Sequence, residues 1–258
     1  MPADRFDSAL CIRHWEWSES SQVVALFTRT RGVVRALAKG SRRPNHPFSG
    51  GVELLTLGDA GLIIKPDLEL AQLTEWDLRD PLAHFRDDLR LFNAGMFIAD
   101  LIRHVVIDAE PHAALFDHTV AALRALAGGP RLIPGVLLRL QWTALVEAGY
   151  EPRFDPLHGA GVPVGAAAEF HFDPAEGGMV VGATPSSWRM TRQTLGLLRT
   201  LKTLAPDQRS TASAPAVARA AAFLAAYLGW VLGRPIPTAA LVLPGSTPTS
   251  RVRYSARS

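Results

Sequence analysis

SQVVALFTRTRGVVRALAKG, residues 21–40, contains two apolar runs separated by a short polar turn. Val, Leu and Phe are concentrated at residues 22–28 and 32–39, and an Arg-Gly pair divides them. β-branched and aromatic residues favour strands, whereas glycine next to a polar residue favours a turn. The stretch therefore predicts two consecutive antiparallel strands.

Similar segments surround this pair in the first part of the chain. Predicted strands cover residues 9–15, 22–28, 32–39, 52–57, 61–65 and 68–74, with Gly58-Asp59 and Pro66-Asp67 as dividers. Five or six strands within roughly 75 residues, with no helix long enough for a crossover, indicate a small antiparallel barrel. The five-stranded oligonucleotide-binding (OB) type fits this pattern.

The hydrophobic period changes after Pro81, where apolar residues recur every three or four positions. Predicted helices cover residues 89–106, 115–126, 137–149, 188–204 and 216–232. Residues 151–185 are rich in Pro and Gly and are interpreted as a loop-rich insert with a hairpin near residues 168–181. The predicted fold class is α+β, divided into a barrel (1–80), a first helical part (81–150), the insert (151–185) and a second helical part with a basic tail (186–258).

Composition predicts a folded cytoplasmic protein of one to three domains. The chain has 258 residues, of which 48% are hydrophobic and 20% charged. Its one cysteine, Cys11, excludes an internal disulfide, and the N-terminus lacks the apolar core of a secretory signal. The longest uncharged apolar run, residues 220–233, would rise about 21 Å as a helix, against roughly 30 Å for a bilayer core. We therefore expect a buried helix and no membrane contact.

Positive charge is unevenly placed along the chain. The formal net charge is only +3, yet no acid occurs between Glu19 and Glu53. The cations inside this span are Arg29, Arg31, Arg35, Lys39, Arg42 and Arg43. Such a local excess of one sign is typical of a surface that meets a polyanion.

The strand at residues 32–39 would present these cations on one face. Side chains alternate along a strand, so Val34, Ala36 and Ala38 would point into the barrel, and Arg35 and Lys39 would point outward. Arg31, Arg35 and Lys39 would be spaced about 13 Å apart, and Arg42 and Arg43 extend the row into a loop. This spacing suits a phosphate backbone better than one small anion.

Two alternatives remain open at this point. A solvated edge strand also carries Lys and Arg because these residues discourage aggregation. Trp15 and Trp17 on the first strand would either stack on nucleic-acid bases or pack inside the barrel.

Several motifs resemble the RecO family of bacterial recombination mediators. In the barrel these are WSESS (17–21), LFT (26–28), RGVVR (31–35), LAKGSR (37–42), VELLTL (52–57) and LAQLTE (70–75). LLRLQWTALVEAGY (137–150) and FDPAEGG (172–178) resemble a helix and a hairpin of the same family. The resemblance covers nearly the whole chain, and the barrel motifs are the most specific.

The resemblance implies an OB-fold barrel, a helical domain and a zinc-ribbon-like insert. It also implies binding to single- and double-stranded DNA, annealing of complementary strands, docking on the C-terminal tail of the single-stranded-DNA-binding protein SSB, and cooperation with RecR in loading RecA. The role is one of binding and remodelling, without an enzymatic step or a cofactor.

Site residues follow from the resemblance and from charge. Arg35 and Lys39 match DNA-contacting cations of the family's third strand, whereas Arg31, Arg42 and Arg43 are added from the charge argument. Arg199 and Lys202 lie near a second basic region of the family. The cation that matches the SSB-tail site is Arg139, with Leu138, Leu140 and Trp142 as the pocket wall; a solvated helix residue is the alternative for Arg139.

The insert departs from the family pattern at its zinc site. Many relatives carry two Cys-x-x-Cys pairs, but the matching positions here are Leu157, Ala160, Val181 and Thr184. We therefore expect no bound metal, and we interpret His158 and His171 as surface residues. Without zinc, apolar packing would hold the insert, and the candidates are Phe154, Phe170, Phe172 and Val180.

Catalytic motifs are missing from the sequence. It contains no phosphate-binding GxxxxGK[ST] loop, no HExxH, no GxSxG and no CxxC. Asp87 and Asp88 are interpreted as solvated helix charges beside Arg86 and Arg90. The leading prediction is a DNA-binding mediator, and the alternatives are an adaptor that binds only proteins such as SSB or RecR and a nucleic-acid hydrolase.

Overall fold

The computed structural model describes residues 6–43, 48–49, 52–65, 67–106, 110–155, 170–203 and 212–245. The chain forms two compact units, Met1–Pro130 and Arg131–Ser258. The boundary between them falls inside the predicted helical part at residues 81–150, so the first helices group with the barrel. The four-part division by element type stays a prediction.

The first unit contains a six-stranded sheet. Its strands are β1 (Asp7–Ser18), β2 (Ser21–Thr28), β3 (Gly32–Ala38), β4 (Phe48–Ser49), β5 (Leu57–Ile63) and β6 (Ala71–Asp80). They are ordered β3-β2-β1-β5-β6-β4, and β3 also pairs in parallel with β6. This additional pairing closes β1, β2, β3, β5 and β6 into a barrel, which confirms the predicted OB-like fold and the α+β class.

The barrel interior is filled by small and branched side chains around one indole ring. Trp76 on β6 is fully buried and belongs to the same apolar cluster as Val24, Ala36 and Ala60. Val34 and Ala38 also lie in this cluster. The inward face predicted for the third strand is therefore confirmed.

The predicted strand at residues 52–57 is wrong. Leu55 has a φ of 56°, a left-handed conformation that no regular strand contains, and residues 54 and 55 form a turn. Strand β5 begins only at Leu57 and runs through Gly58-Asp59, which the sequence suggested as a divider. A Cβ at Gly58 would lie 2.7 Å from the Trp76 ring and from the Asp77 carbonyl oxygen, so glycine is needed there for close packing and not for a turn.

The described residues of the first unit also form three α-helices. They are α1 (His84–Asp87), α2 (Leu89–Val105) and α3 (Ala113–Ala125), and the last two confirm the helical periods of the sequence. Asp88 is not on a helix with Asp87: it precedes α2 as its N-cap and accepts a hydrogen bond from the Arg90 backbone N–H at 2.7 Å. The Phe116 ring of α3 contacts the Phe27 ring of β2 with 5.3 Å between centroids. Helix α3 therefore covers part of the outer surface of the barrel.

The second unit is helical with a small sheet. Its elements are α4 (Ile133–Glu147), β7 (Phe170–Asp173), β8 (Gly178–Val180), β9 (Trp188–Met190), α5 (Arg192–Leu201), α6 (Ala214–Val231) and α7 (Ala239–Val242). The predicted hairpin of the insert is present as β7 and β8. The predicted helix at residues 188–204 is wrong in its first turn, because residues 188–190 pair with β7 and the Thr191 side chain caps α5 by accepting from the Thr194 N–H.

An aromatic cluster holds the described part of the insert. Phe172 is fully buried and contacts the rings of Phe154, Phe223 and Tyr227 at centroid distances of 5.1–5.6 Å. The predicted packing of Phe154 and Phe172 is present, whereas Phe170 and Val180 are half-buried. Ring packing of this kind supplies buried apolar area to the described part of the insert.

Helix α6 is apolar except for Arg219 near its start. By length and composition it is the one helix of the described residues that could cross a membrane, and 56% of it is buried inside the fold. It packs against α4, and the Gln141 side chain of α4 donates to the Ala221 carbonyl oxygen at 3.3 Å. These contacts agree with the predicted core helix, and membrane crossing has only weak support.

Candidate nucleic-acid interface

The outer surface of β1, β2 and β3 carries two rows of cross-strand neighbours. Arg13 pairs with Ala25, which pairs with Arg35, and Trp15 pairs with Val23, which pairs with Leu37. Directly opposed residues project from the same face of an antiparallel sheet. Because adjacent strands are about 4.8 Å apart, β1 and β3 bring the two ends of each row within about 10 Å.

Five exposed or half-buried side chains on this surface form what we call the outer platform. They are Arg13 and Trp15 from β1, Arg35 and Leu37 from β3, and Lys39 directly after β3. Val23 and Ala25 of β2 lie between them and are buried. The platform is therefore an apolar strip with cations along it.

The two cations matched to the family's third strand are available to a ligand. Arg35 and Lys39 are exposed, and within the described residues neither side chain forms an ion pair or a hydrogen bond. Arg43 is likewise exposed in the loop after β3. Within the described residues, none of these three cations has a carboxylate partner that a phosphate would have to displace.

Two cations of the acid-free span form ion pairs with acids from elsewhere in the chain. Arg42 pairs with Glu16 of β1 at 3.0 Å, and Arg29 pairs with Asp117 of α3 at 2.9 Å. Two parallel bonds join the Arg29 guanidinium to Asp117, and the same contact lowers the pKa of the Asp117 carboxyl. Arg42 is therefore less available to a ligand than its charge alone predicts, because its pair with Glu16 competes with phosphate.

Arg31 differs from the other cations of the row. It lies in the turn between β2 and β3, and it is half-buried. Its backbone N–H donates to the Thr28 hydroxyl at 3.1 Å, and its side chain is among those with a partner inside the protein. Arg31 is therefore less accessible to a ligand than Arg35 and Lys39.

Arg199 and Lys202, predicted as a second basic region, lie in the second unit beside a pocket of about 340 Å³. Arg199 Nε donates to the Phe154 carbonyl oxygen at 2.7 Å, and Lys202 Nζ pairs with Glu151 at 3.1 Å. Both cations already have partners, so a phosphate would have to displace them. The pocket wall also contains Trp142, Arg153, Asp155 and Leu198.

The residues predicted for the SSB tail do not share one surface. Leu138 and Leu140 of α4 are each 2% exposed, whereas Arg139 and Trp142 are half-buried. Successive helix residues diverge by about 100°, so three in a row cannot line one wall. The prediction is corrected for Leu138 and Leu140, which are core residues, and Trp142 alone of the four lines the pocket.

The predicted zinc-free site is described only in its second half. Leu157, His158 and Ala160 lie outside the described residues, whereas Val181 is exposed and the Thr184 hydroxyl donates to Asp173 at 3.3 Å. No cluster of three metal-ligating side chains occurs in the described part of the chain. The zinc-free insert stays a prediction.

The Asp173 carboxylate is hydrogen-bonded to the loop between β8 and β9. It accepts hydrogen bonds from the Ser186 hydroxyl at 2.6 Å and from the Ala175 backbone N–H at 2.9 Å, besides the bond from Thr184. Partial burial raises the pKa of this carboxyl, but the hydrogen bonds together outweigh burial and hold the pKa below its ordinary value. A carboxylate with a lowered pKa stabilises the fold where it is ionised.

Asp173→Asn is expected to destabilise the second unit by about 1.5–3 kcal/mol at neutral pH, because hydrogen bonds to a charged acceptor are lost. The contribution of Asp173 is complete above the ordinary aspartate pKa of about 3.9 and is lost as pH falls through the lower folded-state value. Denaturant unfolding of the wild-type protein and the variant between about pH 7 and about pH 2 measures this difference in stability. The exposed Asp155→Asn is the matched control, and a pH-independent gap would contradict the role of the charge.

One member of the platform, Arg13, and one ion pair, Arg29 with Asp117, were not predicted from the sequence, and the exposure of Trp15 was left open. Arg13 lies outside the acid-free span, and the sequence left open whether Trp15 is buried; the structure places both on the platform. Arg13 and Trp15 lie in one register of β1 against β2, so alternation could have placed them on one face; the register shift between Cys11 and Arg13 interrupts only the alternation from the preceding residues. The pairing of Arg29 with Asp117 has a sequence separation of 88 residues and leaves no local signal.

The closed barrel and its basic outer platform place the chain in the class of OB-like barrel proteins that continue into a helical domain. Family models agree with this assignment over both parts. Residues 5–82 match the model described as "Recombination protein O N terminal", and residues 86–240 match "Recombination protein O C terminal".

Individual relatives give the same result. A protein of Anaeromyxobacter dehalogenans is 33% identical over 233 residues, which is 88% of this chain and 91% of the relative. One of Nocardioides is 32% identical over 248 residues, covering 92% and 98% of the two chains. Both relatives are named DNA repair protein RecO. The chain belongs to the RecO family of DNA repair proteins.

Proposed function

We propose that this protein is a recombination mediator that binds single- and double-stranded DNA and anneals complementary strands. The observation that carries the proposal is the exposure of Arg35 and Lys39 on the barrel without an internal partner among the described residues. Unpaired cations in a row attract a phosphate backbone and release its counterions on binding. The proposed DNA site on the first unit consists of Arg35 and Lys39 at its centre with Arg43 at its edge, and Arg31 and Arg42 are secondary members. Arg199 and Lys202 belong to the second unit and are a separate, weaker basic region.

Annealing requires no covalent chemistry in this proposal. Two complementary strands repel each other through their phosphates, and cations on the platform reduce that repulsion while the bases pair. The protein would act as a binding and remodelling factor in the cytoplasm, without a cofactor and without enzymatic activity.

The SSB tail would dock on the second unit. An acidic peptide that ends in an aromatic residue and a carboxylate suits the pocket beside Trp142, since Arg153, Arg199 and Lys202 line it together with two acids, Glu151 and Asp155. Trp142 stacks near Phe154 with 6.2 Å between centroids, which supplies an aromatic wall. Lys202 would exchange Glu151 for a carboxylate of the tail. Membership in the family supports the proposal that the protein cooperates with RecR in loading RecA.

Annealing of complementary oligonucleotides coated with SSB tests the proposal. We expect the wild-type protein to accelerate annealing without ATP, and we expect the acceleration to fall when SSB lacks its tail or when the mediator carries Trp142→Ala. Thr143→Ala on the same helix is the matched control. Binding to SSB with no affinity for bare DNA would contradict the proposal and favour a protein-only adaptor. Cleavage of labelled DNA in Mg²⁺ would contradict the absence of enzymatic activity.

A further inference from the structure

The aromatic part of the outer platform is not explained by phosphate binding. Trp15 is 37% exposed and Trp17 is 62% exposed, although large aromatic side chains in a small barrel usually find burial. The two residues occupy the second half of β1, whereas the first half of the strand is buried. Exposed tryptophans at neighbouring positions indicate a surface that meets a flat apolar group.

A cation holds the first of these rings in place. The Arg13 guanidinium carbon lies 4.9 Å from the centroid of the Trp15 ring, and both side chains belong to β1. Stacking of a guanidinium on an indole orders the ring and leaves its other surface for a ligand. The ring is therefore positioned before a ligand arrives.

The strand changes its geometry at the second ring. The register of β1 against β2 shifts between Glu16 and Ser18, so Trp17 is the extra residue of a β-bulge. Bulges redirect a side chain at the end of a strand. Trp17 lies next to the turn between β1 and β2, and this turn is one of the two loops with which OB-fold barrels bind oligonucleotides.

Residues of β3, on the other side of β2, complete the site. Arg35 stands in the row of Arg13, and Leu37 stands in the row of Trp15, each about 10 Å across the sheet. A nucleotide chain has the same two-sided character, with charged phosphates along one edge and flat bases along the other. Cations on β3 and rings on β1 therefore match one strand laid across the platform.

We infer that Trp15 and Trp17 stack on unpaired bases while Arg35 and Lys39 hold the phosphates, so that the platform binds single-stranded DNA more tightly than duplex. This inference rests on the proposed DNA binding and deepens it by naming the preferred strand state. In a duplex the bases stack on one another and cannot reach the rings, so duplex is held by the cations alone. The platform therefore binds the annealed duplex less tightly than the single strands, which favours release of the duplex.

Affinity measurements on three ligands test the inference: a single strand, the same strand with abasic sites, and the duplex. We expect Trp15→Ala and Trp17→Ala each to weaken single-strand binding about fivefold or more, with the slope of log affinity against log salt unchanged. Duplex affinity should stay within about twofold, since no stacking is lost. Leu68→Ala removes another exposed apolar side chain of the first unit, 60% exposed, and is the matched control.

The abasic strand provides an independent comparison. Wild type should prefer the normal strand over the abasic one, and the double variant Trp15→Ala with Trp17→Ala should bind both equally. Equal losses on single strand and duplex, or wild-type affinity of the tryptophan variants, would overturn the inference. If the wild-type chain bound no DNA at all, the proposed function would fail; if cation variants lost affinity while tryptophan variants did not, only the stacking would fail.

Discussion

Trp76→Ala is expected to destabilise the barrel by about 3–5 kcal/mol, the range for truncating a fully buried aromatic side chain. The ring is 0% exposed and fills the space that Gly58 leaves open on the neighbouring strand. Removing it leaves a cavity that β5 and β6 cannot close, because Gly58 has no side chain to enter it. Denaturant unfolding, with hydrogen exchange of the β1–β6 amides to report on the first unit, measures the loss.

Two variants bracket this expectation. Trp17→Ala deletes the same side chain where it is 62% exposed and should change stability by no more than about 0.5 kcal/mol. Trp76→Phe should cost less than Trp76→Ala, because it keeps an aromatic ring and removes an indole N–H that has no hydrogen-bond partner within the described residues. Equal stability of Trp76→Ala and Trp17→Ala would contradict the described packing.

The double charge reversal Arg35→Glu with Lys39→Glu is expected to weaken single-strand binding by about 100-fold at physiological salt. Each lost phosphate contact removes about 0.7 from the slope of log affinity against log salt on a single strand, and each introduced carboxylate adds repulsion. Annealing should fail with binding. Both the affinity and the salt slope can be measured by fluorescence anisotropy of a labelled oligonucleotide at salt concentrations from about 50 to about 300 mM.

Single reversals separate the platform from net charge. Lys39→Glu and Lys65→Glu change the total charge of the first unit equally, and both lysines are exposed. Only Lys39 belongs to the platform, so only Lys39→Glu should reduce the salt slope. Identical losses for the two variants would mean that DNA responds to overall charge, and the assigned site would be wrong.

Much of the fold could be predicted from local pattern. Alternation at residues 22–39 was sufficient for β2 and β3 and for the inward face of Val34, Ala36 and Ala38. Periodicity was sufficient for α2, α3, α4 and α6. The errors arose where a tertiary contact overrides local preference: Leu55 adopts a positive φ, and Gly58 lies inside a strand because a distant indole needs its space.

The site could be predicted less completely than the fold. Arg35 and Lys39 followed from alternation and from the family motifs, since both signals are local. Leu138 and Leu140 were misassigned, because their burial depends on packing within the second unit that no local pattern encodes. Arg42 was overstated for a related reason, as its partner Glu16 comes from another strand.

The sequence by itself determined the barrel, the main helices, the family and the outward placement of Arg35 and Lys39, because each depends on residues close together along the chain. Only the tertiary structure decided which charges are already neutralised and which aromatic rings face solvent. Asp117 reaches Arg29 across 88 positions, and Trp15 reaches the row of Leu37 only through strand pairing. Availability to a ligand is a property of the folded surface, since burial and ion pairing are both set by neighbours that the chain supplies from elsewhere.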